Sequence, residues 1–261
     1  MIPVALTIAG SDPSGGAGIQ ADLKTFHQHR VYGEAVITLL TVQNSQTVSR
    51  VEVLDPTLVA EQIRAVVNDI RPCAAKTGAL GSAAVIRAVA REAAEFDFAL
   101  VVDPVMISKH GARLLADEAR SVLMRELLPA AALLTPNIPE AEELSGVRIH
   151  DVTDMRRAAT ALLDRGCRAV LVKGGHLQGS AVDVYADGRE VVELFADRVN
   201  TKHTHGTGCT YSAAITARLA QGHGTLEAVR LAKAFIAAAI SSNPGLGGGC
   251  GPVNHFASVG G

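Results

Sequence analysis

Short apolar runs rich in β-branched residues alternate along the chain with longer segments whose apolar positions recur at helical spacing. The runs fall at residues 4–9, 35–41, 74–77, 99–103, 131–135 and 168–173. After Asp55-Pro56, a helical face is set by Leu58, Val59, Ile63, Val66, Val67 and Ile70, with Asp55 as N-cap and Pro56 at the first helical position. Helices are also predicted over residues 83–96, over 154–165 with Gly166 closing it, and over 207–219 and 226–241. The order is a βαβ series, and right-handed crossovers make it a mostly parallel sheet covered by helices on both faces. The pattern changes at residues 182–192, where two alternating runs flank Asp187-Gly188 and predict an antiparallel hairpin at the sheet edge. No internal repeat or interdomain linker appears. The expectation is one domain, a three-layer α/β/α sandwich, and 261 residues suffice to bury such a sheet.

Composition supports aliphatic strands and Ala-rich helices: 48% of residues are hydrophobic but only 3% aromatic, with no Trp. The formal charge of −2, with no long block of either sign, withholds the basic stripe that nucleic acid requires. Residues 4–8 follow Met1 without a basic n-region and are far too few to span a bilayer, so a cytoplasmic protein without membrane partners is expected. Cys73, Cys167, Cys209 and Cys250 form no C-x-x-C pair and suggest neither a disulfide framework nor zinc.

In an open parallel sheet, ligands bind beyond the carboxyl ends of the strands, so the Gly-rich and polar segments there carry the candidate chemistry. The first strand leads into residues 10–18, Gly-Ser-Asp-Pro-Ser-Gly-Gly-Ala-Gly, which is neither a P-loop nor a dinucleotide fingerprint. It is either a loop that lets backbone N–H groups approach a ligand or a plain tight turn. The stronger signal is Thr204-His205-Gly206-Thr207-Gly208-Cys209-Thr210 at the start of an Ala-rich helix. N–H groups left open there by glycines form an anion hole suited to phosphoryl transfer, though a structural N-cap is the plainer alternative. Cys209 in the first turn would have its thiol pKa lowered by the helix dipole and could act as a base, contact a substrate hydroxyl, or be a small core residue. Asp103 follows a strand, as does Asn137 with Glu140 three residues on; that pair can organise hydrated magnesium or simply cap a helix. Lys173-Gly174-Gly175-His176 ends another strand, where a lysine can reach a phosphate.

With these motifs assembled, the chain resembles the hydroxymethylpyrimidine/phosphomethylpyrimidine kinases of thiamine biosynthesis, within the ribokinase superfamily. The resemblance runs through residues 9–26, Val42-Gln43-Asn44, Thr135-Pro136-Asn137, residues 173–176, His205 to Thr210 and Gly251-Pro252-Val253. It implies a ribokinase-like fold, ATP, Mg2+, and two successive phosphorylations, first of the hydroxymethyl group and then of the monophosphate. By the motifs, Gly10, Asp22 and Gln43 would line the pyrimidine pocket, with Ala17 and Val105 as apolar walls. Gly206, Thr207 and Gly208 would form the anion hole, and Cys209 would stand where most of the superfamily has Asp. Lys173, Asn137 and Thr207 would meet the nucleotide, and Glu140 and Asp103 the magnesium, directly or through water. A homodimer is the expected assembly. Ala79, in Lys76-Thr77-Gly78-Ala79, departs from the Met expected there and leaves more room beside the ring. The rivals are a pyridoxal or pyridoxine kinase on the same scaffold and, in another class, a non-catalytic nucleotide or metabolite sensor.

Overall fold

A strand whose residues are apolar throughout can be satisfied only by cover on both faces, and the central strands meet that condition. The protein is described here by a computed structural model covering residues 2–106, 117–175 and 181–259. In it, β1 (Val4–Ser11), β4 (Ala74–Thr77), β5 (Ala99–Val102), β6 (Leu133–Leu134) and β7 (Val170–Val172) run side by side in parallel, with β2 (Tyr32–Gln43) parallel to β1 on its other side. Leu6, Ile8, Val101, Leu134 and Leu171 are completely buried. The expected three-layer α/β architecture is present, and the sheet order is β3-β2-β1-β4-β5-β6-β7-β8-β9.

Both edges are antiparallel, where the sequence had suggested one. The expected hairpin forms β8 (Ala181–Ala186) and β9 (Val191–Ala196), β8 pairing antiparallel with β7. At the other edge β3 (Val48–Val53) pairs antiparallel with β2. Its sequence, Val-Ser-Arg-Val-Glu-Val, gives a weak strand signal because neither face is fully buried.

Among the described residues, seven helices connect or cover the strands: α1 (Gly18–Gln28), α2 (Pro56–Val67), α3 (Ala83–Ala93), α5 (Ile138–Ser145), α6 (Val152–Leu163), α7 (Thr207–Ala220) and α8 (Thr225–Ser241). The short α4 (Asp117–Val122) continues into π and 3-10 turns that end at Ala130. Asp55 caps α2 by accepting from the N–H groups of Thr57 and Leu58, with Pro56 in the first turn. Val59 and Ile63 are buried, whereas Leu58 and Ile70 are exposed. Leu58 lies about 100° around the helix from Val59, and the helix has ended before Ile70. The helix predicted from Asp154 begins at Val152 because Asp151 is the cap, its carboxylate accepting from Asp154 N–H.

Between β1 and β4 the order of connections reverses, since β2 lies to one side of β1 and the later parallel strands to the other. Such a switch point leaves a crevice at the carboxyl ends of the two strands.

Candidate active site

A cleft of about 640 Å3 opens at that crevice and follows the carboxyl edge of the sheet. Gly10, Ala17, Gln43 and Val105 line one part; Asp103, Asn137, Glu140 and Lys173 line another, together with Gly206, Thr207, Gly208 and Cys209 at the start of α7. Candidates separated by up to two hundred residues in sequence are thus brought to one cavity. His176 lies outside the described residues.

The start of α7 is shaped by two glycines. Gly206 sits in the left-handed region at φ 74°, and a β-carbon there would come within 1.7 Å of the Gly16 carbonyl oxygen. No side chain caps this helix terminus, so its first N–H groups are left to face the cleft. A β-carbon on Gly208 would stand 3.4 Å from Lys173 Nζ and 3.9 Å from Asp103 Oδ2. Gly208 therefore leaves clear the space between the helix terminus and the lysine, which is where an anionic ligand gains from both.

Lys173 Nζ donates to Asp103 Oδ1 at 2.9 Å, and Asp103 also accepts from Ser212 Oγ at 3.0 Å and Thr135 Oγ1 at 3.3 Å. Burial works against the charge of Asp103, but Lys173 and Lys76 outweigh it and hold the carboxyl below its ordinary value. Burial likewise opposes the Lys173 ammonium, and Asp103 and Glu140 more than restore it. Glu140 is the exception: burial, aided by the Asp103 charge, pushes its carboxyl up to about 7 despite Lys173. The capping and pocket readings of Asn137 and Glu140 turn out to be compatible. Glu140 Oε2 accepts from Asn137 N–H and Asn137 Oδ1 from Glu140 N–H, each at 2.9 Å, while both residues line the cleft.

Two expectations require correction. Asp22 does not line the cleft: it is fully buried, accepting from Lys76 Nζ and Thr7 Oγ1, each at 2.7 Å. It lies on the inward face of α1, which turns it toward the sheet, where it serves as counter-ion to the equally buried Lys76. Removing one member of such a pair strands the other charge. The thiol of Cys209 is not lowered by the helix dipole. Burial pushes it up to about 11, and the Asp22 and Asp103 carboxylates add to this against Lys76, although the residue as a whole keeps some exposure. Cys209 is a thiol, not a thiolate, at neutral pH.

The sequence assigned no role to five further residues, Lys76, Asp12, His205, Asp183 and Lys233. Lys76, inside β4 and fully buried, pairs with Asp22 beneath the cleft and reinforces the charge of Asp103, which pairs in turn with Lys173 at the cleft wall. His205 Nε2 lies 2.8 Å from Asp12 Oδ2, and Asp12 in turn accepts from Ser14 and Ala17 N–H, fixing the residue 10–18 loop. Lys233 donates to Asp183 at 2.7 Å, and Asp183 accepts from Gly174 N–H beside Lys173. A buried charge in a strand or helix interior was the available signal for Lys76 and Lys233.

A family model described as phosphomethylpyrimidine kinase matches residues 12–254. The chain belongs to the phosphomethylpyrimidine kinase family. A hydroxymethylpyrimidine/phosphomethylpyrimidine kinase of Streptomyces coelicolor is 48% identical over 258 residues, covering 99% of this chain and 96% of that protein. The enzyme of the same name from Bacillus subtilis is 46% identical, covering 97% and 94%. Among solved structures, the phosphomethylpyrimidine kinase of Clostridium difficile superposes with a TM-score of 0.81 at 46% identity, over 92% of this chain and 100% of that one. An ADP complex of Bacillus subtilis pyridoxal kinase superposes with a TM-score of 0.91 at 39% identity, over 98% of both chains.

Proposed function

We propose that this chain transfers the γ-phosphoryl group of ATP to the hydroxymethyl group of 4-amino-5-hydroxymethyl-2-methylpyrimidine, and then phosphorylates the resulting monophosphate. The observation that carries this reading is the clearance that Gly208 leaves between the α7 terminus and the Lys173–Asp103 pair, at one end of a cleft whose other end presents Gln43, Ala17 and Val105. Phosphoryl transfer runs through a loose transition state with charge on the equatorial oxygens, so positioning and charge stabilisation do most of the work. The N–H groups of the first turn and the Lys173 ammonium supply both at one place.

Magnesium fits this donor set. Among the described residues no three His, Cys, Asp or Glu side chains converge into a metal cage, and Mg2+ characteristically takes one or two carboxylates plus water and phosphate oxygens. Asp103 and Glu140 are the carboxylates beside Lys173 that would hold it, and bound there it would neutralise phosphate charge. Cys209, protonated at neutral pH, is placed to contact the substrate hydroxyl rather than to remove its proton. In a loose transition state that proton departs late and can leave on a phosphoryl oxygen. The second phosphorylation needs no base, because the accepting phosphate is already anionic.

A second reading, pyridoxal phosphorylation, has Ala79 in its favour, since its small side chain lies beside Gly10 in the cleft wall. Incubating the purified protein with ATP, Mg2+ and each ring alcohol separates the two. The pyrimidine reading requires both the mono- and diphosphate to appear with the aminopyrimidine and a lower kcat/KM for pyridoxal. It fails if only pyridoxal is consumed. The kinase is further proposed to act as a single-domain homodimer, which sedimentation tests.

A further inference from the structure

Gln43 ends β2, and its side-chain amide reaches to 3.3 Å from His205 Nε2, the same ring atom that lies 2.8 Å from Asp12 Oδ2. One nitrogen cannot accept a proton from Gln43 and donate one to Asp12 at once. Asp12 decides the matter. Its carboxyl is held below its ordinary value, where burial is outweighed by His205 and Ser14. It is therefore a carboxylate that already accepts from Ser14 N–H, Ser14 Oγ and Ala17 N–H. A carboxylate only accepts, so His205 Nε2 must carry the proton.

The consequence passes to Gln43. Amide oxygen and nitrogen exchange places by a half-turn and are assigned from their partners. The single Nε2 proton points mainly at Asp12 and leaves no lone pair on that nitrogen, so the Gln43 NH2 group finds no acceptor there; Gln43 turns its oxygen to the N–H as the weaker, sharing partner at 3.3 Å and keeps its NH2 group for the cleft. The ring cannot swing away to relax this choice. It is buried, and a β-carbon on Gly16 would come within 2.4 Å of His205 Cδ2, so the loop packs directly on the imidazole.

We infer that Asp12 and His205 form a polarity relay that locks the Gln43 amide in one orientation and thereby selects ring edges with an amino group beside an unprotonated nitrogen. The amide oxygen has a second lone pair for the ring's amino group, and the amide N–H donates to the adjacent ring nitrogen. A 4-oxo pyrimidine shows the reverse order, carbonyl beside ring N–H, and meets oxygen with oxygen. Asp12 and His205 are positioning residues here and need not touch the substrate. The inference rests on the reading above in which Gln43 contacts the pyrimidine.

The test is a double-mutant cycle on the full-length protein, with KM and kcat measured for ATP, the 4-amino pyrimidine alcohol and its 4-oxo counterpart. His205→Leu should raise KM for the amino substrate about tenfold while leaving KM for ATP unchanged. His205→Gln, which can still donate toward both neighbours, should restore most of the loss. In a Gln43→Leu background, His205→Leu should add nothing. Asp12→Asn keeps the shape but removes the negative charge and replaces one accepting oxygen by an NH2 donor, which weakens the hold on the Nε2 proton, and should narrow the 4-amino over 4-oxo preference about tenfold. That ratio carries the test even if His205→Leu folds poorly. A His205→Leu penalty that persists undiminished in the Gln43→Leu background overturns the relay, as does an unchanged ratio in Asp12→Asn. If Gln43→Leu alone leaves KM for the pyrimidine unaltered, the assignment of Gln43 to the substrate falls first.

Discussion

Lys173 Nζ lies 2.9 Å from Asp103 Oδ1, and Gly208 faces the same ammonium across a gap that a single β-carbon would narrow to 3.4 Å. The lysine is thus tethered on one side and open on the other, with the helix terminus completing the open side.

Gly208→Val would fill that gap with two methyl groups at the place where transition-state charge accumulates. Gly208 has no left-handed backbone to lose, and the β-carbon meets only side-chain atoms. The expected result is a fall in kcat of roughly a hundredfold or more with a thermal midpoint close to the parent's. Steady-state kinetics beside a circular-dichroism melt would show it, and undiminished turnover would contradict the placement of the anion hole.

Gly206→Ala makes the opposite case. Its φ of 74° and the Gly16 carbonyl 1.7 Å from the new β-carbon mean that the loop must move. The left-handed conformation alone costs about 1–2 kcal/mol, so both stability and activity should drop. A denaturant midpoint unchanged from the parent's would sink this account.

Glu140 gives a pH signature. Its folded pKa of about 7 lies above its ordinary 4.5, so between those values the folded protein holds a proton that the unfolded chain has lost. Its contribution is fully present below about pH 4.5 and is lost as pH rises through 7. The ceiling is on the order of 3 kcal/mol. Urea unfolding at a series of pH values should show this decline in the parent and a flatter profile in Glu140→Gln, which retains the capping geometry. Parallel profiles would remove Glu140 as the cause.

Cys209→Ala should slow the first and second phosphorylations by similar, modest factors, and the ratio of mutant to parent rates should stay level between about pH 6 and 9, because the thiol, pushed up to about 11, does not ionise there. Rates for each step, followed by phosphate-resolved chromatography, decide it. Selective slowing of the hydroxymethyl step would restore Cys209 as a base.

Most of the parallel sheet was legible in the sequence because burial on both faces leaves uninterrupted apolar runs, as at Val170-Leu171-Val172. β3 was not, because an edge strand with Ser49, Arg50 and Glu52 exposed satisfies its sequence in more than one way. In the site, the placement of Gly206 and Gly208 at the start of a helix could be read directly, because an Ala-rich run follows them. Asp22 misled because a polar residue in a motif looks like a ligand contact, and only the three-dimensional neighbour Lys76 shows otherwise. The Asp12–His205 contact spans 193 residues in sequence and had no local pattern to betray it.

Helix α7 joins two tasks in one element. Its first turn faces the cleft while Ala213, Ala214, Ile215 and Ala217, farther along, are wholly inside the protein. Amide protons along its middle should therefore exchange with deuterated solvent only when the whole molecule opens, whereas those of β3, held by the single neighbour β2, should exchange by local fraying. The Gly206–Cys209 end of the cleft is therefore anchored on a deeply protected helix. At the other end β2 carries Gln43 beside that fraying edge, and the contact with buried His205 is what holds the side chain in place there.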